Sequence, residues 1–240
     1  MAKVWWVVVA AGSSTRMGAQ GSKMWAEVAG QSVMAFVLTA IARSESFERG
    51  VVVVRPSDVE PTNRLLAALG GKGTWLVELG GQSRAESVRC GLEAILQEGA
   101  MADDLVLIHD GARPLVSPDL VARVIRTALR DGAAIPLISL ADTVKQVNAE
   151  EHRVMGTIDR EHLGLAQTPQ GFRLGAILEA HRALSPSARV TDDAEVMEKS
   201  HHRVSYVMGE PTNRKITTPD DLVWFRWWVS LDSERSRTGG

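Results

Sequence analysis

The chain has 240 residues, of which 45% are apolar and 23% are charged, and its formal net charge is -2. These values are ordinary for a globular chain of one domain, and the weak net charge excludes a strong electrostatic attraction to nucleic acid or to an anionic membrane. No apolar stretch is long enough to cross a bilayer. The single cysteine, Cys90, excludes an intramolecular disulfide and fits a reducing compartment, so we predict a cytoplasmic protein.

Short apolar runs alternate with amphipathic runs along most of the chain. The apolar runs are typical of parallel strands covered on both faces, and they span 5–10, 51–54, 105–110 and 204–209. The amphipathic runs predict helices over 32–43, 60–69, 84–97, 118–130, 174–184 and 192–199. This alternation predicts an α/β fold.

Several helix ends carry local signals. Ser83 and Glu86 form a capping-box pattern, while Ser117 and Thr218 each precede a proline and an acidic residue. Thr191 precedes two aspartates and also reads as a helix cap.

Residues 136–164 interrupt the alternation with extended, polar pieces and a turn near 148–150. This pattern predicts a β-hairpin arm at about 137–163, and a hairpin of this kind usually packs on another surface. We therefore predict a single domain over 1–232 that includes the arm, followed by a flexible tail over 233–240.

The first apolar run ends at Gly12, and the loop after it reads G-S-S-T-R-M-G. It lacks the G-x-G-x-x-G of dinucleotide sites, and the five residues between Gly12 and Gly18 do not match a P-loop. Small residues expose backbone N–H groups, and Arg16 and Lys23 add positive charge, so the loop suits a triphosphate. The alternative is a turn that carries incidental surface cations.

Four further motifs follow in chain order after AAGSSTRMG and SK. They read GGQSRAESV (80–88), HDGARPL (109–115), AQTPQGF (166–172) and KITTPDDL (215–222). Together, these five stretches resemble the 2-C-methyl-D-erythritol 4-phosphate cytidylyltransferase family. The resemblance implies a Rossmann-like fold of the nucleotide-diphospho-sugar transferase type, with a mostly parallel twisted sheet, flanking helices and a protruding β-arm.

The implied reaction transfers CMP from CTP to a methylerythritol phosphate and releases pyrophosphate, in the non-mevalonate isoprenoid pathway. A ribitol 5-phosphate cytidylyltransferase shares part of the motif set and remains the alternative within the class. A non-catalytic nucleotide-binding module is the alternative from another class.

The resemblance also implies the site residues. The catalytic set is Arg16, Lys23, Lys215 and Asp110. The nucleotide-binding set is Ala10, Ala11, Gly12, Gly81, Gln82 and Ser87. The acceptor-binding set is Arg113, Thr143, Arg160, Thr168 and Thr191.

Charge accumulates around phosphorus in this reaction, so cations and positioning count for more than a covalent nucleophile. Asp110 is the implied ligand of Mg²⁺ or another divalent cation. The arm is implied to reach a neighbouring subunit, so a homodimer is expected. Four positions depart from the family pattern: Met24, Trp25, Gln82 and Thr212.

Overall fold

The computed structural model describes residues 2–12, 22–44, 47–70, 73–185 and 188–238. Arg16 and Gly18 lie outside these residues. The strands are β1 (Val4–Val9), β2 (Glu27–Val28), β3 (Gln31–Ser32), β4 (Arg49–Val54), β5 (Thr74–Leu79), β6 (Leu105–Asp110), β7 (Ala133–Ile138), β8 (Val144–Asn148), β9 (Arg153–Ile158), β10 (Leu165–Ala166), β11 (Gln170–Arg173) and β12 (Ser205–Met208). The α-helices are α1 (Val33–Ala42), α2 (Val59–Leu69), α3 (Arg84–Gln97), α4 (Pro118–Asp131), α5 (Leu174–Ala183), α6 (Asp193–Lys199) and α7 (Pro219–Thr238).

An eight-stranded, mostly parallel sheet forms the centre of the fold, in the order β10-β7-β11-β6-β1-β4-β5, with β12 also paired to β7. β1 pairs in parallel with both β4 and β6, and Val9 at the end of β1 is in register with Asp110. β11 and β10 run antiparallel to their neighbours. The predicted α/β fold is confirmed.

Helices cover both faces of the sheet because alternate residues of the buried strands point in opposite directions. Trp5 and Val7 of β1 belong to the core beneath α3, α5 and α6, whereas Trp6 and Val8 belong to the core beneath α1 and α4. Helix α7 contributes to a smaller third cluster through Phe225. The carboxyl ends of β1, β4, β5 and β6 therefore meet at one edge of a fully covered sheet, where ligands bind in open α/β folds.

The predicted caps are largely confirmed. The hydroxyls of Ser83 and Ser117 accept hydrogen bonds from the third residue of α3 and α4, over 3.1 and 3.0 Å. Glu86 reaches back to the backbone N–H of Gln82 rather than to that of Ser83. The cap predicted at Thr191 is wrong, because Asp192 caps α6 by accepting from the backbone N–H of Glu195.

The predicted hairpin is present as an antiparallel pair of β8 and β9, separate from the main sheet. The side chain of Asn148 accepts from the backbone N–H groups of Glu150 and Glu151 and so closes the turn. Helix α7 continues to Thr238, past the predicted domain boundary at 232. Within the described residues, no helix has the length and apolar character that a bilayer crossing requires.

Candidate active site

Four loops meet at the carboxyl edge of the sheet and line a cavity of about 390 Å³. The predicted nucleotide-binding residues that line it are Ala10, Ala11, Gly12, Gly81, Gln82 and Ser87. Of the predicted catalytic residues, Lys23, Asp110 and Lys215 line the same cavity. The fold thus brings together residues as far apart in the sequence as Ala10 and Lys215.

The loop after β5 lies very close to the loop after β1. A Cβ on Gly80 would lie 2.4 Å from the Cβ of Ala11, so no larger residue fits there without moving one loop. The Ser87 hydroxyl accepts from the backbone N–H of Gly81 over 3.1 Å and donates to the carbonyl of Ser83 over 2.9 Å. Ser87 therefore fixes the backbone that lines the cavity, and its only proton is already engaged.

A second cavity of about 230 Å³ lies beside the first. Its lining includes the predicted acceptor-binding residues Arg113, Thr168 and Thr191. Arg84, Asp110 and Lys215 line both cavities. These three charged side chains form the boundary between the two spaces.

Asp110 is the electrostatic centre of this boundary. Its Oδ2 lies 2.8 Å from Lys215 Nζ and 3.5 Å from Arg113 Nε, and its Oδ1 lies 3.5 Å from Arg84 Nε. Burial alone would raise the pKa of the Asp110 carboxyl. The three cations outweigh burial and hold this pKa well below its ordinary value. Asp110 is therefore an ionised carboxylate shared among three cations.

The backbone of Asp110 is held by a buried hydrogen-bonded chain. Thr168 Oγ1 accepts from the Asp110 N–H over 3.0 Å and lies 3.0 Å from His109 Nδ1, while His109 Nε2 lies 3.0 Å from the carbonyl of Arg113. Because a carbonyl can only accept, His109 carries its proton on Nε2, and Thr168 donates to Nδ1. Burial lowers the pKa of His109 to about 4, so the ring is neutral at pH 7. Thr168 consequently has only an acceptor lone pair left for a ligand.

Arg113 is a buried member of the cationic group. It donates from Nη1 to the carbonyl of Asn213 over 2.8 Å and from Nη2 to the carbonyl of Ala166 over 3.3 Å. These two bonds fix the guanidinium, which has five N–H donors in all, beside Asp110. Arg113 thus supplies a rigid positive charge to the second cavity.

Some predicted residues are not brought to either cavity. Thr143 and Arg160 are exposed on and beside the hairpin, and Arg160 donates to the carbonyl of Ala141 in its own segment. Thr191 lines the second cavity, but its hydroxyl donates to Glu195 over 2.9 Å.

The sequence of the chain matches a known protein family. The model of the 2-C-methyl-D-erythritol 4-phosphate cytidylyltransferase family (IspD) matches residues 4–229. The chain belongs to this family. The family description names a cytidylyltransferase, which is a kind of nucleotidyltransferase.

Curated relatives of this chain are described as bifunctional enzymes. The chain is 41% identical over 219 residues to the bifunctional enzyme IspD/IspF of Rhodopseudomonas palustris (strain BisB5), covering 90% of this chain and 53% of that protein. The bifunctional enzyme IspD/IspF of Bradyrhizobium diazoefficiens is also 41% identical over 219 residues, with the same two coverages. The chain therefore spans about half the length of these relatives.

Solved structures of the family share the fold over almost their whole length. A crystal structure of 4-diphosphocytidyl-2C-methyl-D-erythritol synthase has a TM-score of 0.81 and 31% identity, covering 95% of this chain and 99% of that one. The 2-C-methyl-D-erythritol 4-phosphate cytidylyltransferase of Francisella tularensis has a TM-score of 0.78 and 28% identity, covering 94% and 99%. These comparisons give no support to the ribitol 5-phosphate alternative.

The residues present do not fit Asp110 as a ligand of Mg²⁺ in this family member. Both of its oxygens face cations, and a divalent ion placed against them would be repelled by Lys215, Arg84 and Arg113. Among the described residues, no group of three His, Cys, Asp or Glu side chains is arranged to hold a metal. Asp110 instead organises the cations that border both cavities.

Sequence reasoning missed Arg84. This residue lies inside the motif GGQSRAESV, but its partner Asp193 is 109 positions away, so no local pattern reveals the pair. The available signal was its position: Arg84 is the first residue of α3, next to the correctly predicted cap Ser83.

Proposed function

We propose that the chain transfers CMP from CTP to 2-C-methyl-D-erythritol 4-phosphate, giving 4-diphosphocytidyl-2-C-methyl-D-erythritol and pyrophosphate. The observation that carries the proposal is the pair of adjacent cavities with a shared charged boundary. The larger one has the size and the backbone-rich lining that suit a nucleotide, and the smaller one has the cations that suit an acceptor phosphate. Membership of the family supports the same assignment.

In the proposed reaction, an ionised oxygen of the acceptor phosphate attacks the α-phosphorus of CTP. The new P–O bond forms as the bond between the α-phosphorus and the bridging oxygen breaks, and pyrophosphate leaves. No side chain has to remove a proton, because the attacking oxygen of a phosphate monoester is already ionised at neutral pH.

Lys23 and Lys215 are the proposed stabilisers of the charge that accumulates on the α-phosphate. Both line the nucleotide cavity, and Lys215 also borders the acceptor cavity. A lysine ammonium is a compact charge on a flexible stem, which suits an oxygen that moves during the reaction. Arg16, which lies outside the described residues, keeps its predicted role in holding the triphosphate.

Arg113 and Thr168 are the proposed acceptor contacts within this chain. Arg113 presents a fixed charge, and Thr168 presents an acceptor for a hydroxyl of the polyol. Thr191 can donate to the acceptor, as predicted, only when its hydroxyl gives up its hydrogen bond to Glu195.

The requirement for a divalent cation stays a prediction. Such an ion would neutralise charge on the triphosphate, and Asp110, which is engaged by three cations, would not hold it. The cytoplasmic location also stays a prediction.

We further propose a homodimer in which the arm of one subunit completes the acceptor cavity of its partner. Three apolar arm side chains, Val147, Val154 and Met155, are 59%, 65% and 62% exposed, which is typical of a surface that another protein covers. Thr143 and Arg160 are exposed at the same arm, and neither lines either cavity of its own chain.

The test is pyrophosphate release measured with one component omitted at a time. We expect turnover only when CTP, a divalent cation and methylerythritol phosphate are present together. Turnover that persists without the acceptor, or with UTP or GTP at an equal rate, would contradict the proposal.

A further inference from the structure

A chain of charged side chains leads from the protein interior to the boundary of the two cavities. Asp193 Oδ1 lies 3.2 Å from His181 Nε2, and Asp193 Oδ2 lies 2.8 Å from Arg84 Nη2. Arg84 Nε then lies 3.5 Å from Asp110 Oδ1. Asp193 lines neither cavity, and among the described residues its carboxylate reaches the cavity lining through its ion pair with Arg84.

Asp193 is held rigidly in place. Its side chain is fully buried, and the backbone N–H groups of Asp193 and Ala194 both donate to Oε1 of the buried Gln170, over 3.1 and 3.0 Å. Burial alone raises the pKa of the Asp193 carboxyl, but Arg84 and His181 lower it below its ordinary value. A buried ionised carboxylate is costly unless it is paired, and Arg84 provides that pairing.

The planar guanidinium of Arg84 allows it to serve two carboxylates at once. Its Nη2 edge is fixed by Asp193, and its Nε faces Asp110. Three cations therefore share two carboxylates at this place. Without Asp193, Arg84 would lose the ion pair that fixes its Nη2 and would be attracted only by Asp110, which it shares with Lys215 and Arg113, and by Asp192.

We infer that Asp193 and Arg84 are positioning residues for the transfer reaction, an assignment that rests on the proposed function. The buried carboxylate fixes the guanidinium, and the guanidinium fixes Asp110 and, through it, Lys215 at the boundary between nucleotide and acceptor. The chemical step depends on the placement of Lys215, so the loss of this support acts on kcat more than on KM.

The experiment compares Asp193→Asn, Arg84→Gln and the double variant, with kcat measured on folded protein. We expect each single variant to lower kcat by about tenfold or more, because a displacement of about 1 Å in a positioned group has effects of this size. Since Asp193 acts through Arg84, the double variant should be no slower than Arg84→Gln. Glu93→Gln is the matched control, because Glu93 on the same helix pairs with Arg182 away from both cavities.

Two results would overturn the assignment. One is a kcat for Asp193→Asn within about twofold of the unmodified enzyme. The other is a double variant whose loss is the product of the single losses, which would mean that the two residues act independently.

Two further measurements keep the test decisive. If Asp193→Asn does not fold, Arg84→Lys replaces it: a lysine keeps the charge but cannot span both carboxylates, so a near-normal kcat there would overturn the assignment. Nε–H NMR of the arginines is independent of turnover. Arg84→Lys identifies the Arg84 signal, because that signal disappears in this variant. We expect the signal to show an immobilised guanidinium in the unmodified protein and a mobile one in Asp193→Asn. An unchanged Arg84 signal in Asp193→Asn would contradict the positioning role. Failure of the unmodified protein to react with methylerythritol phosphate would contradict the proposed function, and the NMR result would still decide the positioning role.

Discussion

At the scale of single residues, positive charge exceeds negative charge around the two cavities. Arg84, Arg113 and Lys215 surround Asp110, and Lys23 lines the nucleotide side. This surplus is local, because the whole chain carries a formal charge of -2. A local cationic cluster in a weakly charged protein suits small phosphate substrates rather than nucleic acid.

Replacement of Lys23 by alanine tests the charge-stabilising role directly. We expect Lys23→Ala to lower kcat by about a hundredfold or more, because a charge placed at the reacting phosphate acts mainly in the transition state. Steady-state pyrophosphate release measures this, and Lys3→Ala, at an exposed lysine, is the control. A normal kcat with a raised KM would instead assign Lys23 to ground-state binding.

His109 predicts a pH dependence of stability. The pKa of its ring is about 4 in the folded protein, whereas an unperturbed histidine, as in the unfolded chain, has a pKa of 6.5. Between these values the unfolded chain binds a proton that the folded protein does not, so stability is complete above about pH 6.5 and is lost as the pH falls towards 4.

Urea unfolding at pH 7 and pH 5 measures this effect. We expect the protein to lose about 2 kcal/mol more of its free energy of unfolding over this interval than His109→Gln does. Glutamine retains a donor for the carbonyl of Arg113 but does not titrate. An equal loss in both proteins would mean that His109 is already charged at pH 5.

At the scale of elements, the sequence predicted helices more completely than strands. Caps such as Ser83 and Ser117 mark helix starts, and α4 has a strongly amphipathic pattern. β5 was missed because it is a half-buried strand at the sheet edge and includes Glu78, and β7 was missed because it contains Pro136. β7 ends at Ile138, so the first residues of the predicted arm belong to the main sheet.

The structure brings predicted site residues together where their positions follow directly from strand ends and motifs. Ala10, Gly81 and Asp110 lie where the ends of parallel strands bring them. Asp193 and Arg84 could not be found this way, because their contact depends on how α6 packs beside the start of α3. The cationic surroundings of Asp110 could not be predicted for the same reason, because Arg84 and Lys215 come from distant segments.

The close approach of two loops at Gly80 gives a prediction at this scale. In Gly80→Ala, the new Cβ would lie 2.4 Å from Ala11 and 2.8 Å from the Ser87 hydroxyl. We expect stability to fall by about 1–3 kcal/mol and the KM for CTP to rise, because the loops that line the nucleotide cavity must separate.

Thermal unfolding and CTP titration of Gly80→Ala measure these two changes. Gly156→Ala in the arm is the matched control, since a Cβ there has nothing within 4 Å. Unchanged stability and unchanged CTP dependence in Gly80→Ala would show that the loops have room to move.

At the scale of the whole molecule, the proposed shared site predicts complementation between subunits. Lys23→Ala damages the cavity of its own chain, and Arg160→Ala damages the arm offered to the partner. If sites are shared, a hybrid dimer of the two inactive variants contains one intact site. We therefore expect activity to return when the two proteins are mixed and allowed to exchange subunits.

The control for this mixing experiment is Arg153→Ala, at another exposed arginine of the arm, which should be active without mixing. Absence of recovery despite demonstrated subunit exchange would show that each site is complete within one chain. Arg160 would then need a different role.

An acceptor competition decides which polyol phosphate the enzyme uses. Methylerythritol phosphate and ribitol 5-phosphate are supplied together at equal concentration with limiting CTP, and the two cytidylylated products are quantified by mass spectrometry, so that their ratio gives the ratio of kcat/KM. We predict an excess of 4-diphosphocytidyl-2-C-methyl-D-erythritol of about tenfold or more, as expected when a site pairs the polar groups of one acceptor only. Equal amounts of the two products, or an excess of the ribitol product, would contradict the proposed function.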